Sequence, residues 1–296
     1  MSPVLFTCFL SFVLKKLRDV VGRSDPPIAC NYMPLEWAYA DDTEFLDEEK
    51  EPLDFIYMKA PAVFEKFNLT VNTSKTEKVH CFLADKAEDI DNEIRGEEAW
   101  RKVKLLGSLL CTLADLRNRL RLGTVAFRAF WKMWVRRRLL SLKLRIRLYD
   151  ALVVSVMLYN CSSWAIPSSA LEDLDVLHRK HLRMLLGIFW PNIISNKDLY
   201  RKCQTEPLSE RVIRLRRQMF GHVLRMNTNS PAQSALSFAV IGSRDYKARR
   251  GRHTTNLLNI LRTDLRAASL KLQSLTDLDH VRSLAKDRVA WKKIWQ

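Results

Sequence analysis

Glycine is scarce in this chain, with 8 in 296 residues. Neither G-x-G-x-x-G nor G-x-x-x-x-G-K occurs, which argues against a dinucleotide fold and a P-loop. The six cysteines (Cys8, Cys30, Cys81, Cys111, Cys161 and Cys203) are widely spaced, and no C-x-x-C exists. That pattern fits buried thiols in a reducing, intracellular compartment better than a disulfide framework. Long apolar runs are also missing. Met1 to Leu14 is apolar, but its charge follows the run at Lys15-Lys16, the reverse of a signal peptide. It is too short to span a bilayer, and Asn160 to Ser163 interrupt the other candidate, Ala151 to Ile166. The reading is therefore a protein that is neither secreted nor inserted in a membrane.

Acidic residues are the other shortage: 33 Asp+Glu against 49 Lys+Arg, a net charge of +16. Residues 41–100 hold 7 basic and 17 acidic residues, a net of −10, whereas residues 101–296 hold 38 and 13, a net of +25. A basic surface on that scale attracts a polyanion such as a nucleic-acid backbone, although a Lys/Arg-rich helical surface can also serve solubility alone. At 47% hydrophobic residues, a globular core is expected.

The chain reads as α+β. Helices are expected at Pro3 to Leu17 and Asp54 to Phe67. Leu35 to Phe45 reads as two short strands around a turn. Leu69 to Asn72, Val79 to Leu83 and Val103 to Leu110 are strand candidates, and residues 85–98 an exposed hairpin or loop. From about residue 112 the pattern becomes helical. Long helices are expected over 116–134, 171–185 (stopped by Gly187), 211–226, 256–272 and 281–295. Leu140 to Leu148 alternates like a strand, yet its length without a turn signal favours a helix. The expected divisions are 1–111, 112–230 and 231–296.

The chemical centre is Tyr39-Ala40-Asp41-Asp42. Two adjacent carboxylates in a tight turn can hold Mg²⁺ through oxygen, and paired Mg²⁺ ions about 3.5–4 Å apart drive nucleotidyl transfer. An isolated Asp-Asp is more often a solvated turn. Arg136, Arg137, Arg138, Lys143, Arg145 and Arg147, beside Trp131 and Trp134, form a basic segment. Arg211, Arg214, Arg217 and Arg225 fit one helical face. Both sets suit phosphate contact, although tryptophans at helical spacing are more often core. His178, His181, Cys161, Cys203 and His222 lack zinc-finger spacing, and satisfied histidines are the better reading.

Several ordered blocks resemble non-LTR (LINE-type) retrotransposon reverse transcriptases. Met1 to Phe6 is similar to the end of an S-P-x-L-F helix, and Tyr39 to Asp42 to the Y-A-D-D turn. Phe67 to Asn72 with Lys75-Thr76-Glu77 resembles the N-x-x-K-T-E block, and Leu105-Leu106-Gly107-Ser108 the L-G-S strand that grips the primer. Leu158 to Cys161 with Trp164, His178 to Lys180, Leu185 to Ile188, Ile194 to Asn196 and Phe220 to Arg225 resemble thumb blocks. Arg250 to Arg252, Leu284 to Arg288 and Trp291 continue the match.

The resemblance implies a partial palm with a few antiparallel strands and an all-helical thumb and C-terminal region. It implies RNA-directed DNA synthesis with Mg²⁺ on Asp41 and Asp42, and Lys75 near the phosphates of an incoming deoxynucleotide. RNA template and DNA primer are the implied partners. The runner-up reading is a non-enzymatic basic nucleic-acid-binding protein derived from the helical half. The family's third metal-binding aspartate and its fingers lie upstream of the S-P-x-L-F helix, inside which this sequence begins. Two carboxylates without the third should hold Mg²⁺ poorly, because that ion demands near-octahedral ligation.

Purified 1–296 is therefore expected to give no primer extension with RNA template, DNA primer, deoxynucleotides and Mg²⁺. Extension that disappears in Asp41→Ala would contradict this.

Overall fold

A computed structural model describes residues 3–22, 28–30, 33–34, 36–47, 50–79, 103–135, 140–241 and 256–295. The described chain is mostly helical, with three two-stranded antiparallel ladders. It divides into two compact units. One comprises Met1–Glu77, Met226–Tyr246 and Gln273–Leu278, the other Lys78–Arg225, Lys247–Leu272 and Asp279–Gln296. These boundaries differ from the divisions at 111/112 and 230/231, in part because the 103–110 segment folds onto the helix that follows it.

In the first unit, α1 (Pro3–Val21) packs on α2 (Lys50–Glu65). Leu10, Val13, Leu14 and Leu17 recur at helical spacing and are buried, as are Ile56, Ala60 and Val63 opposite. The Phe67 ring meets Phe9 and Phe12 edge-on. Asn68 takes a left-handed conformation (φ 57°), and the Leu69 amide bonds back to Phe64 O, closing the end of α2. β1 (Ile28–Cys30) pairs with β2 (Met33–Pro34), and β3 (Glu36–Tyr39) with β4 (Asp42–Phe45). The expected pair of strands around a turn is present. The expected strand at Leu69 to Asn72 is not: the chain turns instead, with Lys75 N–H donating to Asn72 O at 3.1 Å. The calls at Val79 to Leu83 and at 85–98 fall almost wholly outside the described residues.

In the second unit, the single strand expected at Val103 to Leu110 is a miniature hairpin. β5 (Lys104–Leu105) and β6 (Ser108–Leu109) flank Leu106 (φ 46°) and Gly107 (φ 81°). Two consecutive positive φ values are what a tight hairpin requires, and glycine adopts them freely. Helices α3 (Thr112–Ala129) and α4 (Trp131–Val135) break at Phe130. The alternating stretch is helical, as its length favoured: α5 (Leu142–Tyr149), started by the Ser141 hydroxyl cap, runs through a π-helical turn (Asp150–Val154) into α6 (Ser155–Met157).

Helix α7 (Ser168–Leu186) ends where expected, with Gly187 at φ 64° donating to Arg183 and Met184 carbonyls. Then come α8 (Asn196–Cys203) and α9 (Leu208–Leu224). Further along are α10 (Pro231–Ile241), which the sequence pattern did not reveal, α11 (Leu257–Ala267), α12 (Leu275–Lys286) and α13 (Arg288–Lys293). The core of the second unit gathers Phe127, Trp134, Tyr149, Met157, Trp164, Leu174, Leu182 and Leu185. Trp134 thus follows the core reading, its Nε1–H donating to Phe127 O at 2.7 Å, while Trp131 is exposed.

Candidate nucleic-acid interface

The acidic turn lies in the first unit. Tyr39 faces Asp42 across the ladder, leaving Ala40 and Asp41 as a two-residue loop, with Ala40 at φ 53°. Arg18 of α1 donates to the Glu36 carboxylate at 2.5 Å and anchors the hairpin base. Tyr39, Asp41 and Asp42 are exposed. Strand alternation puts Glu44 on the same face as Asp42. Partial burial and the Asp42 carboxylate together raise the Glu44 pKa.

Lys75, Thr76 and Glu77 occupy a separate exposed turn organised by Asn72, whose Oδ1 accepts from Ser74 Oγ at 2.7 Å and whose carbonyl accepts from Thr76 Oγ1 at 3.0 Å. No hydrogen bond or ion pair among the described residues joins Lys75 to Asp41 or Asp42. Nor, among the described residues, do three His, Cys, Asp or Glu side chains gather closely enough to hold a metal. The acidic turn as described does not fit a complete Mg²⁺ site.

The L-G-S hairpin in the second unit is held by a buried polar knot. Asp115, in the first turn of α3, is 1% exposed. Its carboxylate accepts from Leu109 N–H at 3.0 Å and from Trp164 Nε1–H at 2.9 Å, and pairs with Arg119 at 3.5 Å. Arg119 in turn donates to Gly107 O at 2.5 Å and Ser108 Oγ at 3.2 Å, while its guanidinium lies 4.4 Å from the Tyr159 ring centroid. Tyr159 Oη donates to Leu106 O at 2.8 Å, and Asn160 Nδ2 to Ser108 Oγ at 3.1 Å. Leu106 and Gly107 are thus gripped from two directions. Sequence reading missed Asp115 and Arg119, since nothing separates them from other charges on an amphipathic helix.

The predicted phosphate contacts need correction at several positions. Arg145 is 6% exposed and donates to Trp134 O at 3.3 Å and to Leu185 O. It caps helix C-termini, where a cation offsets the negative end of the helix dipole, and does not face solvent. Arg211 pairs with Asp150 in the π turn, Arg214 with Glu206 at 2.7 Å, and Arg217 lies 4.4 Å from the Trp295 ring centroid. Arg225 donates to Ala285 O at 3.0 Å. That helix face is engaged within the protein. Lys143 is exposed and remains available. Arg136, Arg137 and Arg138 lie outside the described residues, as do Arg250 to Arg252.

His178 and His181 are core histidines that share Tyr149, although His178 Nε2 has no hydrogen-bond partner among the described residues. Tyr149 Oη lies 3.0 Å from His178 Nδ1 and 3.3 Å from His181 Nδ1, and His181 stacks on Phe127. Of the cysteines, Cys161 and Cys203 are buried, whereas Cys8 is exposed, contrary to the expectation of buried thiols. Burial pushes the Cys161 thiol up to about 11, which leaves it protonated and unreactive at neutral pH. No described helix is long and apolar enough to cross a membrane. No protein-family model, curated protein or solved structure matches the chain.

Burial lowers His178 to about 4 and His181 to about 3. Between about pH 6.5 and 4 the unfolded chain binds protons at these positions and the folded chain does not, so stability falls as pH falls. Each pH unit costs about 1.4 kcal/mol per histidine inside that window. The denaturant midpoint of the helical unit should drop between pH 6.5 and 5, above the ordinary carboxylate range. A flat midpoint over that range would show that the pair takes up protons in the fold.

Proposed function

We propose that this chain is a nucleic-acid-binding protein of the reverse-transcriptase type, derived from a non-LTR retroelement, with RNA template and DNA primer as its partners. The observation that carries the reading is the knot around the 105–108 hairpin. Two blocks that resemble the family separately, Leu105 to Ser108 and Leu158 to Trp164, meet through hydrogen bonds between residues 53 and 52 apart. In a primer grip, the turn must be held rigidly at the surface while its backbone stays stationary against a duplex. Arg119, Tyr159 and Asn160 provide that rigidity here.

The acidic turn supports ancestry more than chemistry, because its two exposed carboxylates lack a third ligand among the described residues. That favours a second reading, in which the helical half serves as a non-enzymatic binder of nucleic acid. The two readings share the binding prediction, and neither expects primer extension from 1–296 alone.

Binding of a labelled RNA–DNA hybrid to the full chain is expected to be independent of sequence and steeply dependent on salt. Neutralising several phosphates releases counterions, so affinity should fall on the order of 10³-fold between about 50 and 200 mM salt. Replacing Arg136, Arg137 and Arg138 with Ala should weaken all sequences alike and flatten that dependence. A dissociation constant that hardly responds to salt would remove both readings.

A further inference from the structure

Two hollows open along α7 in the helical unit. One, of about 330 Å³, is flanked by Arg128 and Trp131. The other, of about 560 Å³, is flanked by Arg183, Phe189 and Trp190. Lys180 and Met184 line both, so the hollows adjoin along one helix face. No acidic residue lines either one, whereas four cations do, of which Arg179 is paired with Glu172. Arg128 and Lys180 are exposed and form no ion pair among the described residues. Arg183 is held by Asn196 Oδ1 at 2.7 Å, a contact that orients its guanidinium without neutralising it.

The aromatic residues complete the surface. Trp190 is 86% exposed, Phe189 52% and Trp131 41%. A single exposed aromatic is ordinary on a protein surface. Three of them bordering a track that carries Arg128, Lys180 and Arg183 provide flat faces for bases beside cations for phosphates. Stacking on aromatic side chains tolerates any base but needs its face free, which an unpaired strand offers and a duplex does not.

We propose that this track, from Arg128 and Trp131 across Lys180 to Arg183 and Trp190, binds a single-stranded nucleic acid, with a base stacked on Trp190 and phosphates against Lys180 and Arg128. The inference rests on the nucleic-acid reading above and moves the contact surface away from the engaged arginines of α9. It assigns the track a strand that leaves or approaches a duplex, distinct from the duplex itself.

The test uses the full chain and fluorescein-labelled oligo(dT) and oligo(U) of about 20 nucleotides, with an RNA–DNA hybrid of the same length alongside. Trp190→Ala should weaken single-strand binding about tenfold, the scale of one lost stacking contact, and leave hybrid binding unchanged. Trp190→Phe should recover most of the loss. Lys180→Ala should lower the single-strand salt slope by about 0.7, one phosphate's share. The tighter of the two strand arms identifies RNA or DNA as the ligand.

Trp190→Ala binding single strands like the unaltered protein, while the hybrid still binds, would overturn this inference and leave the broader reading intact. Equal loss of heparin binding and single-strand binding in Trp190→Ala would assign the loop to polyanions without base contact, and would also overturn it. Absence of salt-dependent binding to every probe would remove the nucleic-acid reading and this inference together.

Discussion

The Asp115 carboxylate sets the condition on which the hairpin, the start of α3 and the Trp164 loop are joined. A carboxylate removed from water must be compensated, since an unpaired buried charge is strongly unfavourable. Asp115 meets that condition with the Leu109 amide, the Trp164 indole and the Arg119 guanidinium. Those donors come from a strand, a loop about fifty residues away, and its own helix. Satisfying one side chain therefore fixes three segments together. Arg119 is buried by the same arrangement, and its remaining donors reach the Gly107 carbonyl and Ser108 hydroxyl. A two-strand hairpin of four paired residues has little stability in water by itself. Here its turn is held by side chains from outside the hairpin.

The same logic governs much of the positive charge. Arg145 closes helix C-termini in the core, and Arg216 forms a buried 2.9 Å pair with Asp264 that links α9 to α11. Arg211 and Arg214 meet acids at the surface, where such pairs contribute little, about 0–1 kcal/mol each. A net charge of +25 over 101–296 thus says little about which cations face a ligand. Arg128 of α3 and Lys180 of α7, which form no ion pair among the described residues, stand beside exposed aromatics, an arrangement that linear clustering of arginines does not reveal.

Periodicity and punctuation carried the elements with local causes. The β3–β4 hairpin, the Gly187 stop and the helical resolution of Leu142 to Tyr149 were all legible, because alternation, a left-handed glycine and a Ser141 cap act within a few residues. The 103–110 hairpin was read as one strand because its turn needs positive φ at Leu106, a residue type that rarely signals it. The Leu69 to Asn72 run is strand-prone, yet the cap at Asn68 and the turn at Asn72 leave it without a partner strand among the described residues. Arg145 was misassigned for a tertiary reason. A basic residue looks alike in sequence whether it meets solvent or the carbonyls at a helix end. The acidic turn was legible as geometry, but which carboxylates approach it in space was not.

Amide hydrogen exchange in Asp115→Ala tests the central claim most directly. If the carboxylate holds the hairpin, the Leu109 amide, which donates to it, and the neighbouring Leu110 amide should lose protection by orders of magnitude. Loss of one partner in a buried charged cluster is worth about 3–5 kcal/mol, so Arg119 and Trp164 should loosen with the hairpin. Amides within α9 should keep their protection. Unchanged exchange at Leu109 and Leu110, or uniform loss across α9 as well, would contradict a local knot at Asp115 and remove the structural basis for a rigid grip at Leu106 and Gly107.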